Sequence, residues 1–184
     1  IIDNPDFHKA MQHPDRIECV LPEYSIIQYS KFEWLRRTLL ENPFDTEYFF
    51  WADAGISRFF GDADISKPFP SNRTIQFLNS NDGKIIAQAR ETLQNMDVLD
   101  ESFLYTSFNA VIGTLFGGGK EKLINLADEV NKTFETCLLA RGIINNEQLV
   151  LGVVWKYMPH LFELYLKPDK ITQHLPLFKI LCQC

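Results

Sequence analysis

The chain has 184 residues, of which 46% are hydrophobic, 13% aromatic and 23% charged. Such a composition excludes a disordered tail, a collagen-like rod and a disulfide mini-protein, and it allows one domain with its own core. Eighteen Lys and Arg against 24 Asp and Glu give a net charge of −6, the reverse of the basic bias expected of a domain that grips nucleic acid through its phosphates.

Residues 1–24 carry Pro5, Pro14 and Pro22 without a clear period and read as an irregular approach segment. The chain opens on Ile1-Ile2-Asp3 with no signal peptide, so it reads as a fragment without its natural start. From Gln28 to Asn42 the apolar positions Phe32, Leu35, Leu39 and Leu40 follow helical spacing, with Ser30 as cap and Asn42-Pro43 as stop. After a turn over 43–46, the run 47–52 predicts a strand covered on both faces, ending in Asp53-Ala54-Gly55.

A long polar loop is expected over 56–73, a short strand over Thr74–Leu78 and a helix over Gly83–Gln94. The apolar stretch 108–116 predicts a strand that runs into a glycine turn, Gly117-Gly118-Gly119. Helices follow over Lys120–Ala140, closed by Arg141-Gly142, and from Asn145 to about Lys156, with a last strand over Leu161–Leu166. No apolar run reaches the roughly 18 residues of a membrane-spanning helix. Strands alternating with helices predict a single α/β layered domain, in which ligands bind at the carboxyl ends of strands.

That rule directs attention to Asp53. A carboxylate followed by Ala54 and Gly55 leaves room for a hard cation with phosphate oxygens and water, and the plainer alternative is a turn or cap aspartate. Asp62-Ala63-Asp64 offers a literal Asp-x-Asp, but in a polar loop it reads more simply as a solvated acidic turn. Gly117-Gly118-Gly119 is either a loop that curls around a ligand, with the next helix's amides facing an anion, or a tight turn. Glu147, among Asn145, Asn146 and Gln148, is either a first-turn acid behind an Asn cap or a general base toward a hydroxyl. Lys31 lies near a helix start, where the dipole disfavours a cation, so it is either a solvated lysine or a diphosphate partner. His8, His13, His160 and His174 show no ligand spacing, although His160 could face a site. Cys19, Cys137, Cys182 and Cys184 read as reduced thiols, with Cys182-x-Cys184 as a redox or metal pair the alternative.

Taken in order, Ile27-Gln28-Tyr29-Ser30-Lys31-Phe32, Asn42-Pro43-Phe44, Tyr48 through Phe59, Gly113-Thr114-Leu115-Phe116-Gly117-Gly118 and Asn145-Asn146-Glu147-Gln148 resemble the HtrL/WlaTC family of bacterial glycosyltransferase-type proteins, over roughly residues 20 to 170. The resemblance implies a GT-A-like three-layer α/β sandwich with a mainly parallel sheet, lacking part of its N-terminal nucleotide-binding region. It implies sugar transfer from a nucleoside diphosphate donor to a hydroxyl of a cell-surface glycan or lipid-linked glycan such as lipopolysaccharide or lipooligosaccharide. Under it Asp53 stands at the metal-binding acid (Mn²⁺ or Mg²⁺) of an Asp-x-Asp signature whose second acid is Gly55 here. Glu147 stands at the catalytic carboxylate, with Lys31, Asp53, Ala54, Gly55, Gly117, Gly118, Asn146 and Gln148 around the nucleotide sugar. The expected setting is cytoplasmic or peripheral to the inner membrane, with no nucleic-acid partner and no transmembrane segment. The rival expectations are a metal-dependent phosphohydrolase using Asp53, Asp62 and Asp64, and a non-catalytic glycan- or nucleotide-binding module.

Overall fold

A computed structural model describes residues 1–59, 66, 70–167 and 176–182. The approach segment is more ordered than expected: α1 spans Pro5–Ala10, α2 Ile17–Val20, and α3 already begins at Pro22 and runs to Glu41. A proline in the first turn supplies a helical φ and loses no hydrogen bond, so Pro22 opens the helix and Ser30 lies inside it. The expected end holds: Asn42 takes the left-handed conformation, φ 38°, and Pro43 follows.

Strand β1 (Tyr48–Ala52) leads into a 3₁₀ turn over Ala54–Phe59. Asp62 and Asp64 lie outside the described residues, as does the end of the chain with Cys184. The expected strand at 74–78 is instead helix α4, Asn72–Ser80, capped by Ser71, whose Oγ accepts from the Thr74 amide. Its buried side chains Thr74 and Leu78 stand four residues apart, a helical spacing.

The expected helix over 83–94 is instead strand β2, Ile85–Arg90. Ala87, Gln88 and Ala89 suit a helix by propensity, but here they fill a strand paired on both sides and buried on both faces. Strand β3 runs over Val111–Gly119, so the three glycines continue the strand instead of forming a loop. Helix α5 (Lys120–Thr133) passes through a π turn at Phe134–Leu138 and a short 3₁₀ turn to Gly142, and α6 spans Glu147–Tyr157. Strand β4, Phe162–Lys167, and helix α7, Pro176–Cys182, complete the described chain.

The four strands form one open sheet in the order β1-β3-β2-β4. β3 is antiparallel to both β1 and β2, while β2 and β4 are parallel. The sheet is therefore mixed, which corrects the expectation of a mainly parallel one: β3 runs against the common direction of the other three strands.

Residues alternate between two cores. Ile85, Ala87 and Ala89 face the larger core with Phe32, Leu123 and Leu149 of α3, α5 and α6. Ile86 and Leu115 face the smaller one with Leu78, Leu177 and Leu181 of α4 and α7. β1 packs both ways but stands at one end of the strand order, so its aromatics are only half-buried. No helix among the described residues is long and apolar enough to cross a membrane.

The glycines allow close strand contact. A Cβ at Gly117 would collide with the Phe50 ring and the Phe49 carbonyl, and Gly118 (φ +148°) turns toward the Lys84 carbonyl. Gly117→Ala is expected to cost about 1–3 kcal/mol through overpacking. Gly142→Ala, at φ +69° with no atom within 4 Å of the added methyl, should cost only the left-handed backbone term of about 1–2 kcal/mol. Urea unfolding of the two variants measures the difference.

Candidate functional site

Where α3 faces the carboxyl end of β1, the chain buries a charge. Lys31 is 5% exposed, and its ammonium donates to Glu147 Oε1 at 2.7 Å. It also donates to the Gly113 carbonyl at 3.4 Å and stands 3.6 Å from Asp53 Oδ1. An ammonium has three donors, and three acceptors surround it. The Trp51 ring lies 5.8 Å below it, within cation–π range. Lys31 is thus not a solvated lysine, the plainer of the two expectations for it.

Each neighbour is held in turn. Asp53 follows β1 directly; its amide donates to the Thr114 carbonyl at 2.9 Å, and its Oδ1 accepts from Trp51 Nε1 at 2.6 Å. Asp53 keeps 39% of its side chain exposed, and Ala54 and Gly55, also exposed, open the 3₁₀ turn beside it. Glu147 is the first residue of α6 and its side chain is 3% exposed. Its Oε2 is buried without a hydrogen-bond partner. Trp34 of α3 stacks on Trp51, ring centres 6.4 Å apart.

The asparagines also shape the turn before α6. Asn146 is fully buried and caps α6, its Oδ1 accepting from the Leu149 amide at 2.9 Å. Asn145 donates to the Leu104 and Thr106 carbonyls, and its own carbonyl accepts from the Tyr29 hydroxyl at 3.0 Å. These bonds hold the turn that delivers Glu147. Gln148 lies beside Gly113.

The structure brings Lys31, Asp53 and Glu147 together, with Ala54, Gly55 and Gln148 at their margin. It does not bring Gly117 and Gly118 there. They pair with Phe50 and Phe49, three or four residues along the strand from Thr114, roughly 10 Å away at strand rise. Beyond them a cleft of about 750 Å³ opens at the start of α5, lined among others by Asp45, Glu47, Asp82, Glu121, Lys120 and Lys122. Four carboxylates against two lysines do not suit the anion expected there, and the first amide of α5 already donates to the Glu47 carbonyl. His160 is exposed in a 3₁₀ turn after α6, Cys19 is buried and Cys137 half-buried.

Gly113 was missed by sequence reasoning as a site residue. Any Cβ at this position would collide with Glu147 Oε1, so the absent side chain is the space the carboxylate occupies. A lone glycine inside an apolar strand was the available signal, since such glycines mark close approach.

Burial, and then the nearby Glu147, raise the Tyr29 phenol well above its ordinary value. The folded state therefore favours the protonated phenol. That contribution is fully present below about pH 10 and is lost as pH rises through the higher folded value. Urea stability should fall across this alkaline range, and Tyr29→Phe should flatten the fall. Lys31→Met should destabilise by about 3–5 kcal/mol, because Glu147 is left buried and uncompensated. Adding Glu147→Leu to it should recover much of the loss, as urea midpoints would show.

The profile of a family described as "Bacterial protein of unknown function (HtrL_YibB)" matches residues 3–180, and no curated protein matches the sequence. The match takes in every residue of the Lys31–Asp53–Glu147 cluster, and the chain belongs to the HtrL_YibB family.

Proposed function

We propose that the chain is a glycosyltransferase of GT-A-like architecture, moving a sugar from a nucleoside diphosphate donor to a hydroxyl of a cell-surface glycan. One observation carries the reading: a half-exposed carboxylate, Asp53, leaves the carboxyl end of β1 and is braced from behind by a buried Lys31–Glu147 pair. The carboxyl edge of an α/β sheet is where ligands bind, and a braced carboxylate there is poised to act on one.

Among the described residues no group of three His, Cys, Asp or Glu side chains surrounds a common point. Mg²⁺ and Mn²⁺ nevertheless bind nucleotides through one or two carboxylates, with phosphates and water completing the shell. Asp53 meets that minimum, and the cluster's two carboxylates against one ammonium leave a negative balance that suits a cation. When bound, such an ion would offset the charge gained by the departing diphosphate.

The protein's own part is positional. Lys31 and Trp51 fix the direction of Asp53, and Ala54 and Gly55 keep the approach to it open. In the reaction the acceptor oxygen bonds to the anomeric carbon, the bond to the diphosphate breaks, and the hydroxyl proton passes to a base. Glu147 is the carboxylate proposed for that proton, through Oε2, since Oε1 is held by Lys31.

A thermal-shift series of nucleoside diphosphates with and without Mn²⁺ tests the donor class. Asp53→Asn should abolish both the Mn²⁺-dependent shift and transfer, with the fold intact by circular dichroism. Glu147→Gln should lower turnover about 10²–10⁴-fold if Glu147 takes the proton. Equal loss of donor affinity and turnover would instead limit Glu147 to holding Lys31. A donor-dependent shift without any transfer would assign the chain a binding role.

A further inference from the structure

A second unused acceptor lies one helical turn from Lys31. Gln28 lies on α3, three residues before Lys31 and four after Tyr24, so the three side chains share one stripe of the helix. Gln28 Oε1 is buried without a hydrogen-bond partner, as is Glu147 Oε2. Lys31, at one end of the stripe, contacts Glu147 and stands beside Asp53. The Tyr24 phenol is raised first by burial and then by Glu18, and it also senses Glu147 and Asp53.

Buried acceptors left unpaired are costly, and each is satisfied only by a donor. The three donors of Lys31 already face Glu147, Gly113 and Asp53, so the protein does not supply one from there. A phosphate offers acceptors alone. A ring bearing several hydroxyls offers the missing donors without charge.

We propose that Gln28 and Glu147 form a hydroxyl-recognition subsite for a sugar ring, with the Gln28 amide oxygen selecting ligands that carry the sugar. The proposal rests on the glycosyltransferase reading and deepens it, because it assigns this side of the cluster to the sugar and not to the diphosphate. The ring could belong to the donor or to the acceptor, which share this chemistry.

Calorimetric titration separates the two. The probes are UDP, GDP and ADP, their glucose, galactose and mannose conjugates, and the free monosaccharides. In the wild-type chain at least one sugar-bearing probe should bind about tenfold tighter than its sugar-free counterpart, and Gln28→Leu should remove that preference. Gln28→Glu keeps an acceptor in place and should retain it, while the thermal midpoint of both variants reports the fold.

Loss of preference among the conjugates places the donor sugar here, and loss confined to the free monosaccharides places the acceptor. Sugar affinities unchanged in Gln28→Leu, or no binding of any sugar-bearing probe, overturn the subsite. Diphosphates that bind with no gain from the sugar sink the subsite and spare the nucleotide reading. Monosaccharides that bind through Gln28 while no diphosphate binds would do the reverse.

Discussion

A buried ammonium–carboxylate contact organises this molecule. Lys31 and Glu147 are 116 positions apart in sequence and meet at 2.7 Å with side chains 7% and 3% exposed. Taking both charges out of water is costly, and such pairs seldom stabilise a fold beyond what apolar residues of the same size would. Their contribution is therefore better sought in the placement of groups. Gly113 gives up its side chain to make room, Asn146 caps the helix that starts at Glu147, and Trp51 lies under the ammonium and also holds Asp53.

The electrostatic result is asymmetric. With Lys31 surrounded by acceptors, the face toward solvent is the Asp53 carboxylate, and the unsatisfied atoms behind it are oxygens. Such oxygens suit hydroxyl donors and cations.

Asp53 and Glu147 were legible in the sequence because each stood out against its setting, an acid ending an aromatic strand and an acid in a run of amides. Lys31 stood out as a cation near a helix start, whereas it in fact lies in the middle of α3. Long periodic segments were legible too, as α5 and α6 show. β2 was not, because its alanines and glutamine favour a helix locally and become a strand only between β3 and β4. The start of α3 was hidden by Pro22, which interrupts a helix anywhere except the first turn. The glycine run misled for a related reason: conformational freedom suggests a loop, whereas Gly117 is needed for its lack of bulk beneath Phe50. Gly113 went unread because the carboxylate that fills its space arrives from a distant helix.

The seating of Phe50 over Gly117 also works as an alignment peg. Side chains along a strand alternate faces, so a slip of β1 by one position would turn Trp51 away from α3 and toward α4 and α7. Lys31 would lose its aromatic floor and Asp53 its indole donor in the same movement. The reach of the carboxylate is thus gauged three residues upstream of it, by a ring resting in the space that the side-chain-free Gly117 leaves.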